Sequence, residues 1–127
     1  MGRYLIDTNV VSDYLTASFS SEGINFMDSV IDASPNLSVI NQIELLCWKT
    51  DETTEQKVKD FINDSVVLNI STDVIGQCVK LRKGKKIKTP DAIVAATALA
   101  HDLILISHNT LDFKNIKGLK VIDPYSL

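Results

Sequence analysis

Short apolar runs alternate with amphipathic segments along the whole chain, and this alternation is what most restricts the fold. Arg3-Tyr4-Leu5-Ile6, Leu37-Ser38-Val39-Ile40, Val66-Val67-Leu68-Asn69-Ile70, Leu103-Ile104-Leu105-Ile106-Ser107 and Leu119-Lys120-Val121-Ile122 each have the length of a strand. Four of these are near-continuous apolar runs rather than period-2 alternations, the mark of strands buried on both faces in a parallel sheet. The intervening segments read as helices. Asn9 is expected to cap one that ends near Leu15, and Ile24, Met27, Val30 and Ile31 recur at helical spacing before Pro35-Asn36 breaks the pattern. Asn41 is expected to cap a helix that carries Ile43, Leu46, Cys47 and Trp48 inward. Thr53-Thr54-Glu55 opens another over Val58, Phe61 and Ile62, and Ser71 or Thr72 caps one that runs to about Lys83. Thr89-Pro90-Asp91 supplies a capping residue, an early proline and a first-turn acid ahead of Ala92-Ile93-Val94-Ala95-Ala96-Thr97-Ala98-Leu99-Ala100. That helix is small and apolar nearly all round, as a central helix is. The expectation is a three-layer α/β/α fold with a central, mostly parallel sheet of four to five strands, in a single domain spanning residues 1–127. Tyr4, Phe61 and Phe113 are expected in its core.

Composition removes several other classes. Hydrophobic residues make up 45% and charged residues 23%, a globular balance that excludes disorder. No apolar run approaches the ~20 residues of a membrane span, and Met1 to Asp7 lacks a signal-peptide apolar region. Cys47 and Cys78 are too few for a disulfide framework and read as buried free thiols, so a reducing cytoplasm is expected. The net charge of −3 is unevenly distributed. Residues 80–127 hold nine basic and four acidic side chains, most of the bases falling in Lys80-Leu81-Arg82-Lys83-Gly84-Lys85-Lys86-Ile87-Lys88. Such a run serves either as a solvated helix end or as a phosphate-attracting patch, and the run alone does not decide.

Four acids stand out from the rest. Asp7 directly follows the first strand, where an open parallel sheet presents residues to its binding crevice; a simple helix cap is the competing reading. Glu44 has Ile40, Cys47 and Trp48 as its helical neighbours, so it either reaches solvent or meets a cation. Asp91 opens the most apolar helix. Asp112 follows the Leu103–Ser107 strand in a loop that also offers Asn109. Taken singly, each has an ordinary explanation. Gathered at one sheet edge, they would form an all-oxygen set of the kind that selects Mg²⁺ or Mn²⁺, and such ions promote phosphodiester displacement.

These same segments resemble PIN-domain ribonucleases, and within them the VapC-type toxins of type II toxin–antitoxin pairs. The resemblance covers essentially the whole chain. Its specific parts are Leu5-Ile6-Asp7-Thr8-Asn9 and Thr89-Pro90-Asp91-Ala92-Ile93-Val94-Ala95-Ala96-Thr97-Ala98; Ile43-Glu44-Leu45 and Ser107-His108-Asn109-Thr110-Leu111-Asp112-Phe113 add to them. It implies that Asp7 and Asp91 bind the divalent ion most directly and that Glu44 completes the site. Either Asp112 or Asn109 fills the fourth acidic position, with Asp112 preferred for its charge. Thr8 and Ser107 match supporting hydroxyl positions. The implied activity is a Mg²⁺-dependent (or Mn²⁺-dependent) endoribonuclease acting on RNA such as tRNA or rRNA through a metal-activated water. The implied partners are a VapB-like antitoxin and a second copy in a homodimer.

On this reading Lys83, Lys85 and Lys86 would hold the RNA backbone, and the few aromatics favour recognition by shape and backbone over base-by-base reading. His101 and His108 have no assigned part. Two other readings compete. One is a catalytically weak PIN-like module that binds RNA or a partner without cutting. The other is a receiver domain, which wants paired acids early in the chain and a late strand-end lysine; here Asp7 stands alone and Ser107 ends the late strand.

Overall fold

The structure is a computed structural model that describes residues 3–16 and 18–127. In chain order the elements are β1 (Tyr4–Ile6), α1 (Thr8–Leu15), α2 (Ser21–Asp32), β2 (Asn36–Ser38), α3 (Val39–Cys47), α4 (Glu52–Asn63) and β3 (Val66–Leu68). They continue with α5 (Thr72–Gly84), α6 (Thr89–Ala100), β4 (Ile104–Ile106), α7 (Thr110–Phe113), β5 (Val121–Ile122) and a closing 3-10 turn at Pro124–Ser126. The strands form one sheet in the order β3-β2-β1-β4-β5, with every pairing parallel. The chain builds outward from β1 to β3, then crosses back to lay β4 on the other side of β1. The reversal of winding therefore falls between β1 and β4, the place where open α/β sheets bind ligands.

Continuous apolar strands are explained by the two cores they separate. Leu5 pairs with Leu105, and both enter a cluster with Ala92, Val94, Ala95 and Ala98 of α6 and with Phe113. Ile6 pairs with Ile106, and both enter the opposite cluster with Val10, Val11, Met27, Val30, Leu45 and Phe61. Helices thus cover both faces of the sheet, as expected. Small side chains let α6 lie against the sheet, and buried Thr97 satisfies its hydroxyl by donating 2.7 Å to the Ile93 carbonyl. Phe61 and Phe113 are buried as expected, while Tyr4 packs half-buried at the edge of its cluster. Among the described residues, no helix is long and apolar enough to cross a membrane.

Several local expectations are corrected. The first helix starts at Thr8, capped by Asp7 rather than Asn9, because the Asp7 carboxylate reaches the Thr8 amide at 2.9 Å. β2 ends at Ser38, and Val39 and Ile40 begin α3. Ser38 caps that helix, and Asn41 is its third residue in a reciprocal capping box. Asp51 caps α4 two residues before the expected start, and Thr89 lies inside α6 with Lys88 at the cap position. The inward face expected for α3 is mostly wrong: Ile43, Leu46 and Cys47 are exposed, while Asn41 and Leu45 are buried, and of the expected set Trp48 alone packs, half-buried, against the core. The expectation of two buried thiols fails with it, since Cys47 is exposed and Cys78 half-buried.

The paired burial of Leu5 and Leu105 makes β1 a sensitive packing point. Leu5→Ala is expected to lower stability by ~2–5 kcal/mol, read as a lower urea midpoint at unchanged slope. A loss well under ~1 kcal/mol would show that the α6 layer does not close on β1.

Candidate active site

The site is built on the residue that ends β1. Asp7 continues the sheet pairing by donating its amide to the Ile106 carbonyl at 2.9 Å. One carboxylate oxygen, Oδ1, accepts from the Thr8 amide at 2.9 Å and from Asn41 Nδ2 at 3.4 Å. The other, Oδ2, accepts from the Ser107 hydroxyl at 2.9 Å. Asp7 is therefore both the helix cap and the crevice acid, the two readings its position allowed.

A polar chain spreads from there. Asn41 is fully buried. Its Oδ1 accepts from the Ser38 amide and hydroxyl, and its Nδ2 also donates to Thr8 Oγ1 at 3.1 Å. Thr8 Oγ1 in turn donates to Glu44 Oε1 at 2.6 Å. Glu44 itself is exposed at the mouth of the groove. On the other side, Ser107 Oγ accepts the Asn109 amide at 3.0 Å, and Asn109 Nδ2 donates to Asp112 Oδ2 at 2.9 Å. Asp7, Thr8, Asn9, Glu44, Asp91 and Asn109 line one groove of about 520 Å³, with Cys47 and Trp48 on its rim.

Electrostatics tie the acids together. Burial raises the Asp7 carboxyl above its usual pKa, and the nearby Glu44 charge adds to this; the hydrogen bonds from Ser107, Thr8 and Asn41 pull the other way. Asp91 is also raised, first by burial and then by Asp7, Asp112 and Glu44, with Lys88 partly opposing. Its place in the first turn of α6 is one where a helix ordinarily favours a carboxylate, yet burial, and after it crowding, outweighs that. Of the four acids expected from the sequence, Asp7, Glu44 and Asp91 line a single groove, and Asp7, Glu44 and Asp112 all bear on Asp91. Of the two candidates for the fourth position, Asn109 lines the groove, and Asp112 stands behind it as its hydrogen-bond acceptor and as a charge felt by Asp91.

Among the described residues, no three Asp, Glu, His or Cys side chains converge tightly enough to enclose an ion by themselves. Mg²⁺ does not require such a cage; it commonly takes one or two carboxylates and fills its remaining positions with water and phosphate. The raised, mutually repelling Asp7 and Asp91 carboxylates, with hard oxygen donors throughout, fit that kind of binding.

The lysine run is placed less uniformly. Lys83 and Lys86 are exposed. Lys85 is engaged by the protein, its Nζ donating to the Lys114 carbonyl at 2.8 Å and lying 3.5 Å from the Asp112 carbonyl. None of the three lines the groove. Sequence reasoning misses Asn41 as an organiser of the site; the signal is its three-residue spacing from Glu44, which puts both on one side of α3.

A family model for the PIN domain matches residues 4–119. The chain belongs to the PIN domain family. Solved structures agree. A chain of a toxin–antitoxin complex from Klebsiella pneumoniae is 34% identical, with a TM-score of 0.75 over 96% of this chain and 98% of that one. A chain of DNA-bound VapBC from Salmonella typhimurium is 21% identical, with a TM-score of 0.79 over 98% and 99%. A chain of FitAcB from Neisseria gonorrhoeae is 22% identical, with a TM-score of 0.74 over 98% and 99%. No curated protein matches the chain. The resemblance drawn from the Asp7 and Asp91 motifs is borne out by this PIN domain assignment.

The burial and crowding of Asp91 have a measurable sign. Its pKa is higher folded than unfolded, so its ionised form weakens the fold at neutral pH, and the penalty disappears as pH falls below the ordinary value of 3.8. Asp91→Asn is expected to stabilise the protein at pH 7 by a few tenths of a kcal/mol, discounted for solvent screening. Thermal melts across pH check this: the gain should vanish on acidification, and a gain that grows towards low pH would contradict it.

Proposed function

We propose that this PIN domain is a divalent-metal-dependent endoribonuclease and the toxin of a toxin–antitoxin pair. The mutual repulsion of Asp7, Glu44 and Asp91 across one groove carries the reading. A site that gathers charge in this way is poised for a cation. Asp7 and Asp91 would hold Mg²⁺ or Mn²⁺. When bound, such an ion supplies charge neutralisation, an activated water and stabilisation of the oxygens of a phosphodiester displacement.

The chain's own residues do the rest. Ser107, the Thr8 amide and Asn41 fix both oxygens of Asp7, so its carboxylate presents one orientation to the groove. The Thr8 hydroxyl fixes Glu44 through Oε1. Its Oε2, which has no hydrogen bond among the described residues, is the atom available to take a proton from an attacking water. Asp112 accepts from Asn109 Nδ2 and so holds that side chain in place at the wall of the groove. Lys83 and Lys86 would attract the RNA backbone from outside.

The substrate class is RNA, tRNA or rRNA being the kinds the resemblance suggests. The inhibitory partner would be a VapB-like antitoxin, as the toxin–antitoxin complexes among the similar structures support. A homodimer in the cytoplasm completes the reading.

Cleavage of single-stranded RNA with and without Mg²⁺ tests it. Asp7→Asn and Asp91→Ala are each expected to lower metal-dependent cleavage by about 100-fold or more while keeping the far-ultraviolet circular dichroism of the parent. Full turnover in either variant would remove the assignment, and RNA that binds but is never cut would return the chain to the non-cutting module. Lys83→Ala with Lys86→Ala is expected to flatten the salt dependence of RNA binding by roughly one unit of slope for each phosphate that is no longer neutralised. An unchanged slope would make those lysines ordinary surface charges.

A further inference from the structure

His108 belongs to the loop after β4 and has a built environment of its own. Its Nδ1 donates to the Asp123 carboxylate, at 3.1 Å from Oδ2 and 3.3 Å from Oδ1. Asp123 also accepts the Tyr125 amide at 2.9 Å, which holds the closing turn in place. The Tyr125 ring lies 4.5 Å from the imidazole, centroid to centroid, and Phe19 lies 4.6 Å from Tyr125. Gly23 lets this group form: a Cβ there would sit 3.0 Å from the Pro124 carbonyl and 3.2 Å from Phe19 Cβ. The imidazole is thus fixed on one side while its side chain stays 65% exposed.

His108 borders a second cleft, of about 400 Å³, together with Asp7, Asn9, Asp13, Asn109 and Tyr125. Asp7, Asn9 and Asn109 also line the acidic groove, so the two recesses adjoin across these residues. The charges of the second cleft decide what fits it. Asp7 and Asp13 line it, Asp123 stands behind His108, and no Lys or Arg is among its lining residues. A phosphate would be repelled there. A neutral, planar group with amino donors would be welcome, because aromatic and imidazole faces stack nucleobases and Asn and Asp side chains read their edges.

We infer that this cleft is a nucleobase subsite, in which the base beside the scissile phosphate stacks on the His108 imidazole and turns its amino edge towards Asn9 and Asp13. The inference rests on the ribonuclease reading. It also adds a base contact to the recognition by shape and backbone that the scarcity of aromatics favoured, because a count of aromatics along the sequence does not reveal that Phe19, Tyr125 and His108 assemble.

The test uses short single-stranded RNAs carrying 2-aminopurine at successive positions, bound in an Asp91→Asn background so that they stay uncut. Stacking quenches the probe. One position is expected to be quenched by the parent and by His108→Phe, which keeps a ring, but not by His108→Ala. Affinity for that oligonucleotide should fall about tenfold in His108→Ala, which is 1.4 kcal/mol, and stay unchanged when the same position is abasic. Equal quenching and equal affinity in His108→Ala would overturn the subsite. So would loss of binding in His108→Phe and His108→Ala alike, the mark of a role for the imidazole nitrogens or of a purely structural one. Cleavage by the otherwise unaltered protein is measured alongside. Its absence together with position-specific quenching would sink the ribonuclease reading but support the base subsite, whereas cleavage without any quenching would do the reverse.

Discussion

The burial of a carboxylate at the end of the central strand sets the terms for the rest of the structure. An ionised group taken out of water is unfavourable unless its oxygens are satisfied. Asp7 meets that requirement with donors from three separate segments: the first turn of α1, the buried Asn41 of α3, and Ser107 beyond β4. Those donors are in turn fixed by their own partners, Ser38 for Asn41 and the Asn109 amide for Ser107. One half-buried charge therefore brings three stretches of chain to the same point. Even so, burial and Glu44 leave the Asp7 carboxyl above its ordinary pKa. The hydrogen bonds hold the geometry without cancelling the charge, and a site needs that remainder of unmet negative potential if it is to take up a cation.

Asp91 reaches the same point from the opposite direction. It arrives on α6, whose run of alanines allows a helix to lie close against β1 and β4 and delivers its first turn to the same edge of the sheet. Packing, rather than a network of donors, puts it there. One acid is thus oriented by polar contacts and the other is delivered by an apolar helix. The two routes converge because the crossover from β3 to β4 runs through α5 and α6 and reverses the winding beside β1.

Most of this architecture is written locally in the sequence. Leu5-Ile6 and Leu105-Ile106 announce two-sided burial because neither dipeptide spares a polar face, and Pro90-Asp91 marks a helix start that no other element could use. Helix caps are less legible. Asp7 and Asn9, Ser38 and Asn41, and Asp51 and Thr53 all belong to residue types that bind backbone amides, and only the path of the chain selects between them. The orientation of α3 is hidden for a related reason. Its apolar residues outnumber the positions the core can accept, so Ile43 and Leu46 are left outside while Asn41, the less apolar residue, is taken in to serve the acids. One-turn α7 reads as loop in the sequence because four residues carry no periodicity. The His108, Asp123 and Tyr125 group has no sequence signal at all, since its members come from two loops that only the completed sheet brings together.

Burial on both faces has one further consequence, for alignment. A strand with one wet face cannot slip by a residue without turning its apolar side chains into solvent. β1 lacks that safeguard, because Leu5 and Ile6 would each find oil on either side. Its polar neighbours supply the discrimination instead: Asp7 reaching Ser107 at the tip, and Asn36 Nδ2 donating to the Tyr4 carbonyl near the base. The groups that make the molecule reactive are also the notches by which its innermost ribbon is keyed to its neighbours.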